Sequence, residues 1–380
     1  MSTSESVATA PHDAAAARTT VALIDPVPQR RDQLVSALTS FYEVAEYADI
    51  ETAVGMTLTA PAAVVVDEKV AHPSGREPLR WLKSQVMFKD APLLLCVTPD
   101  RPDGGPTNPR AADALLDKPF RRSDLLGALS NLVNKQVEDE WVMLSEQPQK
   151  ALRETLAAFN GISDLIEKGE PLSYDSLRDS CQPLLSSVAE SSYRELLQAV
   201  RGHDNYSFVH SLRVATVLAL FGYTIGLKDE ALMILATGGL VHDIGKMSIP
   251  FEILNKPGEL KPDERRLMQG HVGATVLYLK KHSDVPRGVA TIAGQHHERL
   301  DGSGYPRKLV ANQLNDLARM AGIVDVFVAL TDRRPYRAPL TPAAALAVMG
   351  DEMGTQLDQR LLKLFREMLL DSAGGAWAAQ

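Results

Sequence analysis

Two dipeptides, His242-Asp243 and His296-His297, constrain this 380-residue chain more than anything else in it. The segment Ala231 to Val241 is almost free of charge and reads as a helix that delivers His242 and Asp243 toward a core. A buried Asp beside a buried His is costly unless a cation or hydrogen bonds compensate. Five of the nine histidines (His210, His242, His271, His296 and His297) fall between positions 210 and 297, joined by Asp243 and Asp325. Imidazole nitrogens and carboxylate oxygens together suit first-row divalent metals such as Fe, Mn, Zn or Co. An Asp lying between two such ions can bridge them, the usual construction of a centre that attacks a phosphodiester. One such histidine alone would read as a satisfied core or surface residue; the set of seven predicts a metal centre.

Composition narrows the ligand. A formal charge of −8 and a pI near 5.7 argue against non-specific binding to a nucleic-acid polymer. They leave room for a small anion, because bound cations can invert the local field. Cys96 lies in the apolar run Leu93 to Val97, which predicts a packed, reduced thiol; the other cysteine, Cys181, is far away. The longest apolar stretch, Val214 to Leu227, is too short to span a bilayer. Residues 1–19 are rich in Ala, Ser and Thr without an apolar centre, so they read as a disordered tail rather than a signal peptide. The expected location is cytoplasmic, with no membrane partner.

The chain changes character near residue 135. Before it, Val21 to Ile24, Ala62 to Val66, Leu93 to Val97 and Leu115-Leu116 are short apolar runs separated by helical stretches at Arg30 to Ser40 and Ser123 to Val133. Continuous apolar strands alternating with helices predict a doubly wound parallel sheet with both faces covered. Functional groups in such sheets gather beyond the carboxyl ends of the strands, and Asp25, Asp67, Thr98 and Lys118 all sit there. Residues 136–194 read as a helical connector with a break near Pro148. Leu152, Leu156, Phe159, Ile162 or Ser163, and Ile166 mark one face of it. Beyond it the chain reads as helical almost throughout, and no internal repeat is visible. The expected architecture is therefore multidomain: an α/β doubly wound sheet, then an all-α domain.

Over residues 20–135 the rim residues resemble the response-regulator receiver domain, a flavodoxin-like fold. The resemblance implies Asp67 as phosphate acceptor, Thr98 and Lys118 as donors to phosphoryl oxygens, and Asp25 as a Mg²⁺ ligand. Two successive acids are usual after the first strand, whereas Asp25 is followed by Pro26, so one Mg²⁺ ligand is missing. Two readings stay open: a phosphorylated receiver served by a sensor histidine kinase, and a degenerate receiver used for docking or dimerisation.

Residues 195–370 resemble the HD-GYP variant of the HD phosphohydrolases, which cleaves cyclic di-GMP. The motifs are Tyr206-x-x-x-His210, His242-Asp243-x-Gly245-Lys246, Pro250-x-x-Ile253-Leu254-x-Lys256-Pro257-Gly258, His271, His296-His297-Glu298-x-x-Asp301-Gly302-x-Gly304-Tyr305-Pro306, Asp325 and Arg334-Pro335-Tyr336-Arg337. The resemblance implies one metal on His210, His242, Asp243 and Asp325, and a second on His271, His296 and His297 with Asp243 shared. Fe and Mn are the expected metals. Tyr206 stands where some relatives have a Glu that adds a third metal, so two are expected. Lys246 lies one helical turn beyond Asp243 and is expected to act with it in catalysis by neutralising a phosphate oxygen. Asp301, Gly302, Gly304 and Tyr305 are expected to meet the substrate, with Arg334 and Arg337 as phosphate clamps.

Val328 replaces an acid common at that position, and Phe251 replaces an Asp. His12, His72, His203 and His282 carry no motif and are expected to be solvated. The resemblance implies hydrolysis of cyclic di-GMP to pGpG and GMP, with diguanylate cyclase domains as partners and a homodimer as one assembly. A catalytically weak cyclic di-GMP sensor or protein-interaction module, and an HD hydrolase of other nucleotides, remain as alternatives.

Overall fold

Parallel pairing governs the first third of the chain. The computed structural model describes residues 19–39, 42–99, 106–254, 256, 258–281, 284–332 and 339–371. Here β1 (Thr20–Ile24), α1 (Pro28–Leu38), β2 (Glu43–Tyr47), α2 (Ile50–Met56), β3 (Ala63–Asp67), α3 (Pro78–Lys83), β4 (Leu93–Val97), β5 (Ala114–Asp117) and α4 (Arg122–Glu140) follow in that order. The five strands are all parallel in the order β2-β1-β3-β4-β5, the doubly wound order with its switch point between β1 and β3.

Successive strand residues point to opposite faces. Ala22, Ile24, Val64, Val66, Leu93 and Leu95 pack with Ile50, Leu79, Leu82 and Phe88 on one side. Val21, Leu23, Val65, Leu94 and Cys96 pack with Leu34, Leu38, Leu125 and Leu129 on the other. Both faces are buried, hence the uninterrupted apolar runs. The Cys96 thiol is buried and free, and burial pushes it up to about 12, so it stays protonated.

Strand β2 was not expected. Its sequence, Glu-Val-Ala-Glu-Tyr, carries two exposed acids because it forms the sheet edge, where one side faces water.

The remainder is helical: α5 (Glu146–Lys168), α6 (Tyr174–Ala189), α7 (Tyr193–Ala199), α8 (Tyr206–Thr224), α9 (Asp229–Val241), α10 (Phe251–Leu254), α11 (Pro262–Lys280), α12 (Arg287–Gln295), α13 (Asp316–Thr331), α14 (Pro342–Asp351) and α15 (Gln359–Asp371). One apolar core runs through it, with Phe159, Leu177, Cys181, Phe208, Phe221, Leu235, Phe327 and Phe365 all buried. The predicted face of the connector is its packing face: Leu152, Phe159 and Ile162 are buried, with Leu156 and Ile166 packed beside them. The side chain of Ser163 lies outside the described residues.

The expected break near Pro148 falls just before it. The chain leaves α4 through a 3₁₀ turn at Trp141–Met143 and restarts at Glu146, so Pro148 sits in the first turn of α5. A proline is tolerated there because the amide it lacks would have no helical partner. His203 is not solvated. Its buried ring lies 3.1 Å from Glu138 Oε1 and stacks on Trp141. Beside it, Asp204 accepts from the Tyr42 hydroxyl at 2.6 Å, tying the sheet domain to the turn that opens α8. His72 packs edge-on against Trp81 and bonds to Ser74, while His12 and His282 lie outside the described residues. Among the described residues no helix is long and apolar enough to cross a membrane.

Candidate metal centre

Helix α8 is almost wholly apolar because it runs through the middle of the core, so a polar residue on it is buried by default. His210 lies in its second turn. Its neighbour α9 is equally apolar and ends on His242 and Asp243. His271 comes from the middle of α11, His296 and His297 follow the end of α12, and Asp325 lies on α13. Gly245, directly after the His-Asp pair, is what lets α11 close in. A Cβ on it would lie 2.1 Å from the His271 carbonyl oxygen, so any side chain here would force the helix away.

All seven expected ligands converge. Ligand atoms of Asp243, His271, His296 and His297 lie within 4.8 Å of one another, as do those of His210, His242 and Asp325. Asp243 divides its two oxygens between the groups. Oδ1 is 3.0 Å from His271 Nε2 and 3.7 Å from His296 Nε2. Oδ2 is 3.3 Å from His242 Nε2 and 3.7 Å from His210 Nε2. Asp325 reaches His210 Nε2 at 3.1 Å and His297 Nδ1 at 3.5 Å.

The rings are held from behind. Nδ1 donates to the Gly239 carbonyl in His242 (2.8 Å), to Met268 in His271 (2.6 Å) and to Ala293 in His296 (3.0 Å). This fixes the tautomer and turns each Nε2 inward, as metal-ligating histidines require. Those three Nε2 atoms and Asp243 Oδ1 are buried without a hydrogen-bond partner. Orphaned polar atoms are rare in native interiors, and four gathered around one carboxylate fit bound cations. Burial pushes His296 down to about 4, so at neutral pH its imidazole offers a lone pair. Burial opposes ionisation of Asp243 and Asp325, yet the surrounding His242, Lys246 and His271 for the first, and His210 and His297 for the second, hold both well below the usual carboxylate range. The cluster can therefore bind divalent metal.

Lys246 stands over this centre with its ammonium on Asp243 Oδ2. Tyr206 stacks on His210, its ring centroid 5.9 Å away, and adds no carboxylate. The loop from Asp301 to Pro306 packs against the cluster at His297. Gly302 has φ +78°, in the left-handed region, whereas Gly304 serves close approach: a Cβ there would meet the backbone of His297, Glu298 and Arg299 at 2.5 Å. Tyr305 is thereby laid on His297, centroids 4.6 Å apart and 30° from parallel. Asp301 is exposed and accepts from Ser303 (3.0 and 2.6 Å) and Thr355 (3.3 Å), so its carboxylate holds the turn. Arg334 and Arg337 lie outside the described residues.

Two residues to which the sequence reading gave no role support the site. Glu298 is buried and accepts from the amides of Arg307 (2.7 Å) and Leu309 (2.8 Å), pinning the loop. Asp332 is buried beside His210 Nδ1 and pairs with Arg213. Its signal was available: it falls two helical turns after Asp325. It also answers the question raised by Val328, which lies in the apolar core while Asp332 supplies the acid behind the ligand.

At the sheet rim, Asp25, Asp67, Thr98 and Lys118 also meet. Arg30 Nη2 lies 2.7 Å from Asp67, Lys118 Nζ 2.6 Å from Asp67, and Thr98 reaches the intervening Glu68.

Residues 179–361 match the family model described as HD domain. The chain is 30% identical over 306 residues to the cyclic di-GMP phosphodiesterase response regulator RpfG of Xanthomonas campestris pv. campestris, covering 78% of this chain and 72% of that one. It is 36% identical over 187 residues to 3'3'-cGAMP-specific phosphodiesterase 3 of Vibrio cholerae, 49% of this chain and 40% of that relative. Among solved structures, a HDG"Y"P protein from Bdellovibrio bacteriovorus is similar with a TM-score of 0.48 and 19% identity, over 65% of this chain and 81% of that one.

Proposed function

Since the chain belongs to the HD-GYP family of HD-domain phosphohydrolases, we propose that it is a two-metal phosphodiesterase that opens cyclic di-GMP to linear pGpG and onward to GMP. The observation that carries this reading is the division of Asp243, with Oδ1 facing His271 and His296 and Oδ2 facing His242 and His210. A carboxylate so placed is built to bridge two cations. One would be held by His210, His242, Asp243 and Asp325, the other by His271, His296, His297 and the shared Asp243. Fe or Mn suits these nitrogen and oxygen donors.

Bound there, two divalent cations supply Lewis acidity toward the phosphodiester and activation of water. The chain does the rest. Water loses a proton as its oxygen bonds to phosphorus, the P–O3′ bond breaks, and the leaving 3′ oxygen takes up a proton in exchange. Lys246 offsets charge growing on a non-bridging oxygen, from the position its ammonium already holds beside Asp243. Tyr305 offers guanine a stacking face, and Gly302 and Gly304 shape the turn that holds it there. Arg334 and Arg337 are assigned from sequence as phosphate clamps. Diguanylate cyclase domains and a second copy of the chain are the proposed macromolecular partners.

The test is turnover. Protein purified anaerobically under reducing conditions, loaded with Fe²⁺ or Mn²⁺, is given cyclic di-GMP, 3'3'-cGAMP and a mononucleotide in parallel, with products separated chromatographically. Appearance of pGpG supports the reading. Tight cyclic di-GMP binding without product would make the domain a sensor. Preferred cleavage of the mononucleotide would place it among other HD hydrolases.

A further inference from the structure

The rim of the parallel sheet does not fit the Mg²⁺ that the receiver resemblance implies. Every carboxylate oxygen there already has a partner. Asp25 Oδ2 accepts from Arg30 Nε at 2.5 Å, and Oδ1 accepts from Arg30 Nη2 at 2.9 Å and the Val27 amide at 2.8 Å. Asp67 Oδ2 lies between Arg30 Nη2 at 2.7 Å and Lys118 Nζ at 2.6 Å, while Oδ1 accepts from the Lys69 amide at 2.9 Å. Asp25 and Asp67 are both buried. A guanidinium cannot lose its proton in a protein, so Arg30 is a permanent cation wedged between the two aspartates. Pro26, at the next position, has no side-chain carboxylate for a metal to use in its place.

The anion position is filled as well. Thr98 and Lys118, the expected donors to a phosphoryl group, both end on Glu68. Thr98 Oγ1 donates to Glu68 Oε1 at 2.5 Å and the Thr98 amide to Oε2 at 2.9 Å, with Lys118 Nζ 3.0 Å from Oε1. Burial alone would push the Glu68 carboxyl up, but these bonds outweigh it and bring it down to about 2, so the group is ionised throughout the physiological range.

We propose that this domain is a self-saturated receiver, in which Arg30 takes the place of the divalent cation and Glu68 the place of the phosphoryl group, so that Asp67 is not a phosphate acceptor. Three carboxylates and two side-chain cations form the cluster, leaving one net negative charge without any added ion. A phosphoryl group of charge near −2 on Asp67 would have to expel Glu68 from both donors and stand next to it. A sensor kinase then has no aspartate to charge, and the domain keeps one conformation whatever the phosphodonor supply. This inference is independent of the phosphodiesterase reading.

The full-length protein tests it in two arms. The wild type, its His/Asp centre already loaded with Mn²⁺ and freed of excess metal, is incubated with Mg²⁺ and either acetyl phosphate or beryllofluoride, then read by intact mass, by ¹⁹F NMR and by thermal melting. No phosphoryl mass increment, no bound-fluoride signal and no Mg²⁺-dependent rise in Tm are expected; any one of them overturns the proposal. In Arg30→Ala the two aspartates lose their cation, so Tm should fall and millimolar Mg²⁺ should restore it. Arg30→Lys, which keeps the charge, should melt nearer the wild type and ignore Mg²⁺. A folded Arg30→Ala protein indifferent to Mg²⁺ would overturn the role given to Arg30.

Discussion

Asp332 stands behind His210: its Oδ2 lies 3.1 Å from the ring's Nδ1, while Asp325 lies 3.1 Å from Nε2 of the same ring. Both acids come from α13 and its C-cap, so one helix end sets the ring from two sides. An acid on the outer nitrogen raises the basicity of the inner one and fixes its direction. Asp332→Asn should leave a folded protein whose metal affinity falls by about 10- to 100-fold, read by competition with a chelating dye. Asp332→Ala should cost more stability than Asp332→Asn, because it strands the buried Arg213 guanidinium; losses of this kind are about 3–5 kcal/mol. Equal melting temperatures for the two variants would refute the pairing.

Lys246 touches Asp243, but its proposed target is the phosphate. Lys246→Ala should therefore keep its metal and lose kcat by about 10²- to 10³-fold, the usual cost of deleting one charge-stabilising donor. Elemental analysis beside initial rates separates this from a ligand defect. Loss of metal in proportion to activity would reassign Lys246 to holding the centre together.

Glu298 fastens the glycine loop through two backbone amides. Removing its side chain orphans both donors, at about 1–3 kcal/mol each where they stay dry. Glu298→Ala should lower Tm and raise KM for the cyclic dinucleotide, with metal content unchanged. An unaltered KM would detach the loop from substrate recognition.

The sequence made the members of the His/Asp cluster legible and hid what stands behind them. His210, His242, Asp243, His271, His296, His297 and Asp325 could be named because their spacing repeats a motif and their types share one chemistry. Glu298 sat in plain view beside His297, but a carboxylate that bonds only to backbone has no partner residue to betray it. Arg30 and Glu68 were missed for the opposite reason, since each looks like an ordinary surface charge on a helix or strand end. Edge strand β2 was invisible because half of it faces water, and His203 looked solvated because its neighbour Trp141 lies across a helix break.

The depressed Glu68 carboxyl makes a prediction in pH. Its folded value, about 2, lies below the ordinary 4.5, so its bonds to Thr98 and Lys118 stabilise the fold fully above 4.5. That contribution declines as pH falls from 4.5 toward 2. Glu68→Gln, which cannot ionise, should show a shallower loss of Tm across this window than the wild type. Parallel curves would remove Glu68 from the ionic cluster.

The central claim is that Asp243 is held in common by two ion positions, and metal stoichiometry of Asp243→Ala tests it most directly. Anaerobically purified wild type should carry two divalent ions per chain and release pGpG, while the folded variant should carry none and release nothing. A variant that retains one or two tightly bound ions would contradict the shared carboxylate and the centre built on it.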